Sequence, residues 1–130
     1  MRKLMILLCL CLQPAQAMAA DVAPHFSRIL LSDSIEGGQP SVVIEKDRGY
    51  VVTWQQSDGS SSSLRWMTFD LEGERTAEGV ISRGDDWFVN WADTPALAVL
   101  DNGDWVAFWL KRHDSESPEG YDIKLVRSKD

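Results

Sequence analysis

The chain repeats itself. Residues 40–45 (Pro-Ser-Val-Val-Ile-Glu) match residues 95–100 (Pro-Ala-Leu-Ala-Val-Leu) at an offset of 55. The polar turn 46–49 matches 101–104, and 50–54 (Tyr-Val-Val-Thr-Trp) matches 105–109 (Trp-Val-Ala-Phe-Trp), at the same offset of 55. A third segment follows in each copy, residues 64–69 against 123–128, where the offset has grown to 59. Between the second and third segments the spacing predicts a polar loop, 55–63 in the first copy and 110–121 in the second. Within each segment apolar side chains alternate with period two, which reads as β-strand. Tyr50, Val52 and Trp54 point one way and Val51 and Thr53 the other. Both sets are mostly apolar, so these strands are expected to be buried on both faces. A fourth strand is expected at 76–82 and one more short strand at 26–31. No segment carries a capped helical stripe. The unit is therefore about four short antiparallel strands in 55 residues, the outline of a β-propeller blade. A compact β-sandwich of the same strands is the alternative architecture.

The first residues stand apart from this pattern. Arg2 and Lys3 precede the apolar run 4–12, and small residues at 15–20 follow. That is the build of a cleavable signal peptide over 1–19, and it implies a secreted or periplasmic protein. The run is too short for a bilayer-spanning helix, which needs about 20 apolar residues. Cleavage after Ala19 leaves 111 of 130 residues and 11 of the 13 basic groups against 20 acidic ones, a net charge of −9. Such a chain repels phosphate backbones, which excludes nucleic acid as a partner. Cys9 and Cys11 both fall in the signal peptide, so neither a disulfide nor a thiolate metal site is expected. All six tryptophans remain: Trp54, Trp66, Trp87, Trp91, Trp105 and Trp109.

Taken together, the blade-like repeat and the ending Ser128-Lys129-Asp130 resemble the sialidase-like propellers that carry Asp-box (BNR) repeats, S-x-D-x-G-x-T-W. The resemblance runs over residues 26–130. It implies an all-β fold of antiparallel four-stranded blades, one at about 38–82 and an incomplete second at about 92–130. Ser128 and Asp130 would begin an Asp-box, a structural hairpin rather than a catalytic element. Propellers have about 4–8 blades, so the chain is expected to be an N-terminal fragment, with 26–31 as a closing strand.

The resemblance also implies a glycosidase chemistry: an arginine cluster for a substrate carboxylate, an Asp acid/base, and a Tyr–Glu nucleophile pair. Arg28, in Phe26-Ser27-Arg28-Ile29-Leu30, stands where the family's first arginine would, with one residue inserted and the family's proline missing, and a charge on an edge strand is the plainer reading. Asp85 and Asp86, in a loop between the copies, are the acid candidates, with a solvated turn as the plainer reading. Trp87 and Trp91 are candidates for sugar stacking, with core or inter-blade packing as the alternative, and Asn90 and Asp93 could accept sugar hydroxyls. His25 and His113 lack metal-ligand spacing, and no neighbouring Glu makes a nucleophile pair with Tyr121. No cofactor and no metal is expected. The expected function is that of an exported sialidase-like propeller fragment, inactive alone. The alternative is a non-catalytic glycan- or protein-binding β module. Expected partners are a glycan, no membrane after signal cleavage, and further copies of the chain through unpaired strand edges.

Overall fold

The computed structural model describes Arg28 and residues 37–113 and 120–128. All its strands lie in one compact unit, Leu31–Asp130; of the other unit, Met1–Leu30, only Arg28 is described. The expected signal peptide at 1–19, the expected strand at 26–31 apart from Arg28, and Asp130 lie outside the described residues.

The described chain is all-β. Its seven strands are β1 (Gly37–Glu45), β2 (Gly49–Asp58), β3 (Ser61–Phe69), β4 (Arg75–Gly84), β5 (Ala96–Val99), β6 (Trp105–Arg112) and β7 (Tyr121–Arg127). They form two antiparallel sheets, one in the order β1-β2-β3-β4 and one in the order β5-β6-β7. Neither sheet closes on itself, and together they have the form of blades in an incomplete propeller-like array.

The repeat reappears as hydrogen-bond register. Val43 opposes Val51 in the first sheet and Ala98 opposes Val106 in the second, an offset of 55 at both positions. Val51 opposes Thr68 and Val106 opposes Arg127, so the third strand is displaced by 59. Ser128 extends that ladder by one step. Its N–H donates to the Trp105 carbonyl at 2.8 Å, and its hydroxyl accepts from the Trp105 N–H at 2.7 Å.

The core lies between the sheets. Val51 and Leu64 meet Trp87, Leu97 and Ala107, with Val43, Trp66, Ile81, Val99, Trp105 and Trp109 packed around them. Trp66 and Trp105 cross edge-to-face at 5.0 Å, the arrangement that ring quadrupoles favour. A second cluster, Val52, Trp54, Met67 and Phe69, occupies the opposite face of the first sheet. Tyr50 stacks on Phe69 there at 4.9 Å. Residues 51–55 are therefore all buried, which is why β2 carries apolar side chains on both faces.

Several strand limits differ from the sequence reading. The segment 55–63 is mostly strand, not a loop: β2 runs to Asp58 and β3 starts at Ser61. Ser57 pairs with Ser62 and Asp58 with Ser61, leaving Gly59-Ser60 as a two-residue turn. Gly59 takes φ 60°. A glycine of that kind in the first central position makes a type II′ hairpin, whose twist matches the strands it joins. The turn holds the register, so the serines pair despite their polarity. Likewise β6 continues to Arg112, and Tyr121 opens β7 instead of sitting in a loop. At the other margin β1 begins at Gly37, and a bulge between Gly38 and Ser41 accommodates Pro40, which has no N–H to give the ladder.

Candidate functional site

The acid and stacking candidates, Asp85, Asp86, Trp87 and Trp91, lie on the β4–β5 connection, residues 85–95, and Arg28 and Ser128 lie elsewhere in the chain. The first part of the connection pairs with the far half of β6. The Arg112 N–H donates to the Asp86 carbonyl at 2.7 Å, the Phe88 N–H donates to the Leu110 carbonyl at 3.0 Å, and Trp87 bridges Lys111. This pairing sets the alternation of the next three side chains. Trp87 enters the core, 4% exposed, and lies parallel to Trp109 at 5.6 Å. It presents no stacking face to a sugar; packing is its role. Phe88 goes to the other face and stacks on Tyr121 at 4.9 Å.

Asp86 accepts an ion pair from the Lys111 ammonium at 2.6 Å. The hydrogen bond from Lys111 is the main cause that holds its carboxyl below the usual carboxylate range. A general acid must keep its proton near neutral pH, so its environment should raise its pKa. Asp86 has the opposite arrangement and is a fixed carboxylate. Asp85 sits exposed at the bend before it, and Arg28 is exposed.

The rest of the connection is a braced loop. The Asn90 side-chain oxygen accepts from the Ala92 and Asp93 N–H groups, both at 2.7 Å, and its amide donates to Asp93 Oδ2 at 2.9 Å. The Gln39 amide donates to the Asn90 carbonyl and ties the loop to β1. The side chains of Asn90 and Asp93 are thus occupied within the loop. Trp91 stands at its tip, 94% exposed.

Recesses lie elsewhere, and one of about 640 Å³ runs between the turns β1–β2 and β5–β6, along Ile44, Glu45, Arg48, Val99 and Asp101. One cleft of about 380 Å³ is lined by Glu45, Arg48, Trp66, Thr68, Thr76 and Trp105, among others. Glu45 is paired with Arg48 at 2.9 Å, and Thr68 and Thr76 share a hydrogen bond at 2.8 Å. A second cleft of about 360 Å³ continues between the sheets along Ile81, Leu97, Ala107 and Val126. The sequence reading missed this region, because Trp66 and Trp105 come from different copies of the repeat and meet only when the sheets pack. Nearby, Asp104 is hydrogen-bonded by Asn102 and ion-paired with Arg127, and these hold its carboxyl below the usual range. Among the described residues no three His, Cys, Asp or Glu side chains are grouped to hold a metal ion.

The two depressed carboxyls define a pH dependence. A group whose pKa is lowered by folding adds stability above its unfolded value, about 4, and loses it as pH falls through the folded value. Asp86 and Asp104 should therefore leave stability flat from neutral pH to about pH 5 and contribute to a decline in acid. Melting temperatures across pH would check this. The D86N/D104N double variant should show a shallower acid decline, and an unchanged slope would refute the assignment.

In comparison with known proteins, no family model, curated protein or solved structure matches the chain.

Proposed function

We propose that the chain is part of an exported, sialidase-like propeller that has no hydrolase activity by itself and serves as a glycan-binding module. The observation that carries this reading is Trp91, fully offered to solvent at 94% exposure on a loop held by four hydrogen bonds. A rigid indole costs little ordering entropy on binding and presents a flat apolar face. The pyranose ring offers a complementary apolar face. The nearby acid candidate is committed to Lys111, which favours binding over bond cleavage at this end of the sheets.

The reading is tested with a glycan array and a fluorogenic sialoside. The wild-type chain is expected to bind a glycan class and to leave the sialoside unhydrolysed. Trp91→Ala should weaken binding about tenfold or more, as loss of a central aromatic contact does. It should change stability by less than about 0.5 kcal/mol, as exposed substitutions do. Sialoside hydrolysis above background that Asp85→Ala abolishes would overturn the inactive reading. Binding that Trp91→Ala leaves intact would overturn the site.

A further inference from the structure

The two sheets of the chain are related by the repeat in a head-to-tail sense, and this has a consequence for their outer faces. The core face of the second sheet is built from Leu97, Val99, Trp105 and Ala107. At an offset of 55 their counterparts in the first sheet are Val42, Ile44, Tyr50 and Val52, which lie on that sheet's outer face. The converse also holds. Leu64 and Trp66 of the first sheet's core face correspond, at an offset of 59, to Ile123 and Leu125 on the outer face of the second. So the outer face of each sheet is a copy of the other's core face.

Burial separates the members of each pair. Leu97 is 5% exposed and its counterpart Val42 is 64% exposed; Leu64 is 0% exposed and its counterpart Ile123 is 65% exposed. Leu125 and Ile44 are likewise open, at 66% and 80%. Contiguous exposed apolar patches on folded proteins mark interaction surfaces. Within the chain, the sheets approach each other through β1 and β5. On the outer face of the first sheet the β2–β3 centre, Trp54 and Met67, is buried, and the β1 margin with Val42 and Ile44 is open. The open margin is therefore the part whose counterpart, β5, makes the internal junction.

We propose that the outer face of the second sheet, at Ile123 and Leu125, binds the β1 margin of a second copy of this chain, at Val42 and Ile44, repeating the internal junction between molecules. The occupant follows from the repeat: the surface that fits a copy of the first sheet's core face is a copy of the second sheet's core face, and the chain itself carries one. Such a contact is heterologous and closes into a ring when its rotation allows. With about 4–8 blades to a ring, about two to four chains complete one. The proposal does not depend on the glycan-binding reading.

Sedimentation velocity on the purified chain tests it. The wild type is expected to form a discrete species of about two to four monomer masses. Leu125→Asp blocks one side of the contact and Ile44→Asp the other, so each variant alone should be monomeric. Mixed one to one, they should form a dimer and nothing larger, because each supplies the intact side that the other lacks. Near-UV circular dichroism verifies that each variant is folded, and Ile123→Lys and Val42→Asp replace any that is not. A wild-type chain that stays monomeric at every soluble concentration overturns the proposal. So does a mixture that remains monomeric, or an Ile44→Asp variant that still dimerises, which would indicate a symmetric contact instead.

Discussion

Gly49→Ala is expected to be a severely damaging single-methyl change. Gly49 closes the β1–β2 turn at φ 122°, outside the range L-residues readily adopt. A Cβ there would stand 1.9 Å from the Phe69 carbonyl oxygen and 2.8 Å from the Asp70 backbone. The close approach exists because the antiparallel ladder of β2 and β3 runs to the end of β3, with Tyr50 opposite Phe69, the last residue of that strand. The clash is with backbone, so no rotamer relieves it. Backbone strain of about 1–3 kcal/mol and a displacement costing about 1–3 kcal/mol, as in overpacked cores, together come to about 2–6 kcal/mol. For about 100 residues each kcal/mol lowers the melting temperature by about 4–8 °C. Folded domains have about 5–15 kcal/mol in hand, so the variant should melt far below the wild type or not fold. Gly38→Ala is the control. Gly38 has ordinary φ and open space around its would-be Cβ. A Gly49→Ala variant that melts with the wild type would show that the turn relaxes without cost.

The second large effect concerns one position of the repeat in its two settings. Leu64 and Ile123 are counterparts, facing the same way from the third strand of their sheets, yet Leu64 is 0% and Ile123 65% exposed. Leu64→Ala removes contacts and leaves a cavity, at a cost of about 2–5 kcal/mol. Ile123→Ala should change stability by less than about 0.5 kcal/mol. Both are measured by denaturant titration at dilutions where the chain is monomeric, because association would add apparent stability to one variant and not the other. Equal losses would mean that the second sheet's outer face is covered within the chain.

Much of the fold is legible in the order of the amino acids. Period-two alternation locates the strands. The constant offset locates the hairpins, because antiparallel pairing around a short turn holds register and two equivalent turns hold equivalent registers. The polar strand ends at 55–58 and 61–63 are less legible. Their serines and glutamines have no apolar period, and the signal is Gly59, whose turn type draws whatever flanks it into the ladder. The site is less legible still. Trp87 and Trp91 sit four residues apart in Trp-Phe-Val-Asn-Trp, and nothing local distinguishes them. One is 4% exposed and the other 94% because β6 pairs with Trp87 and the Asn90 turn lifts Trp91 away. Asp85 and Asp86 are adjacent, and the second is ion-paired with Lys111, which is distant in sequence.

Local rules act within a strand and across a tight turn, where the chain is its own neighbour. At that range the amino-acid order alone determined the strands, their pairing and the doubled unit. Burial is a property of what lies opposite, and that is set by how one sheet lies on the other. Only the packing of the two sheets decided which of two equivalent faces became core, which tryptophan became available, and which carboxylate was neutralised by a partner.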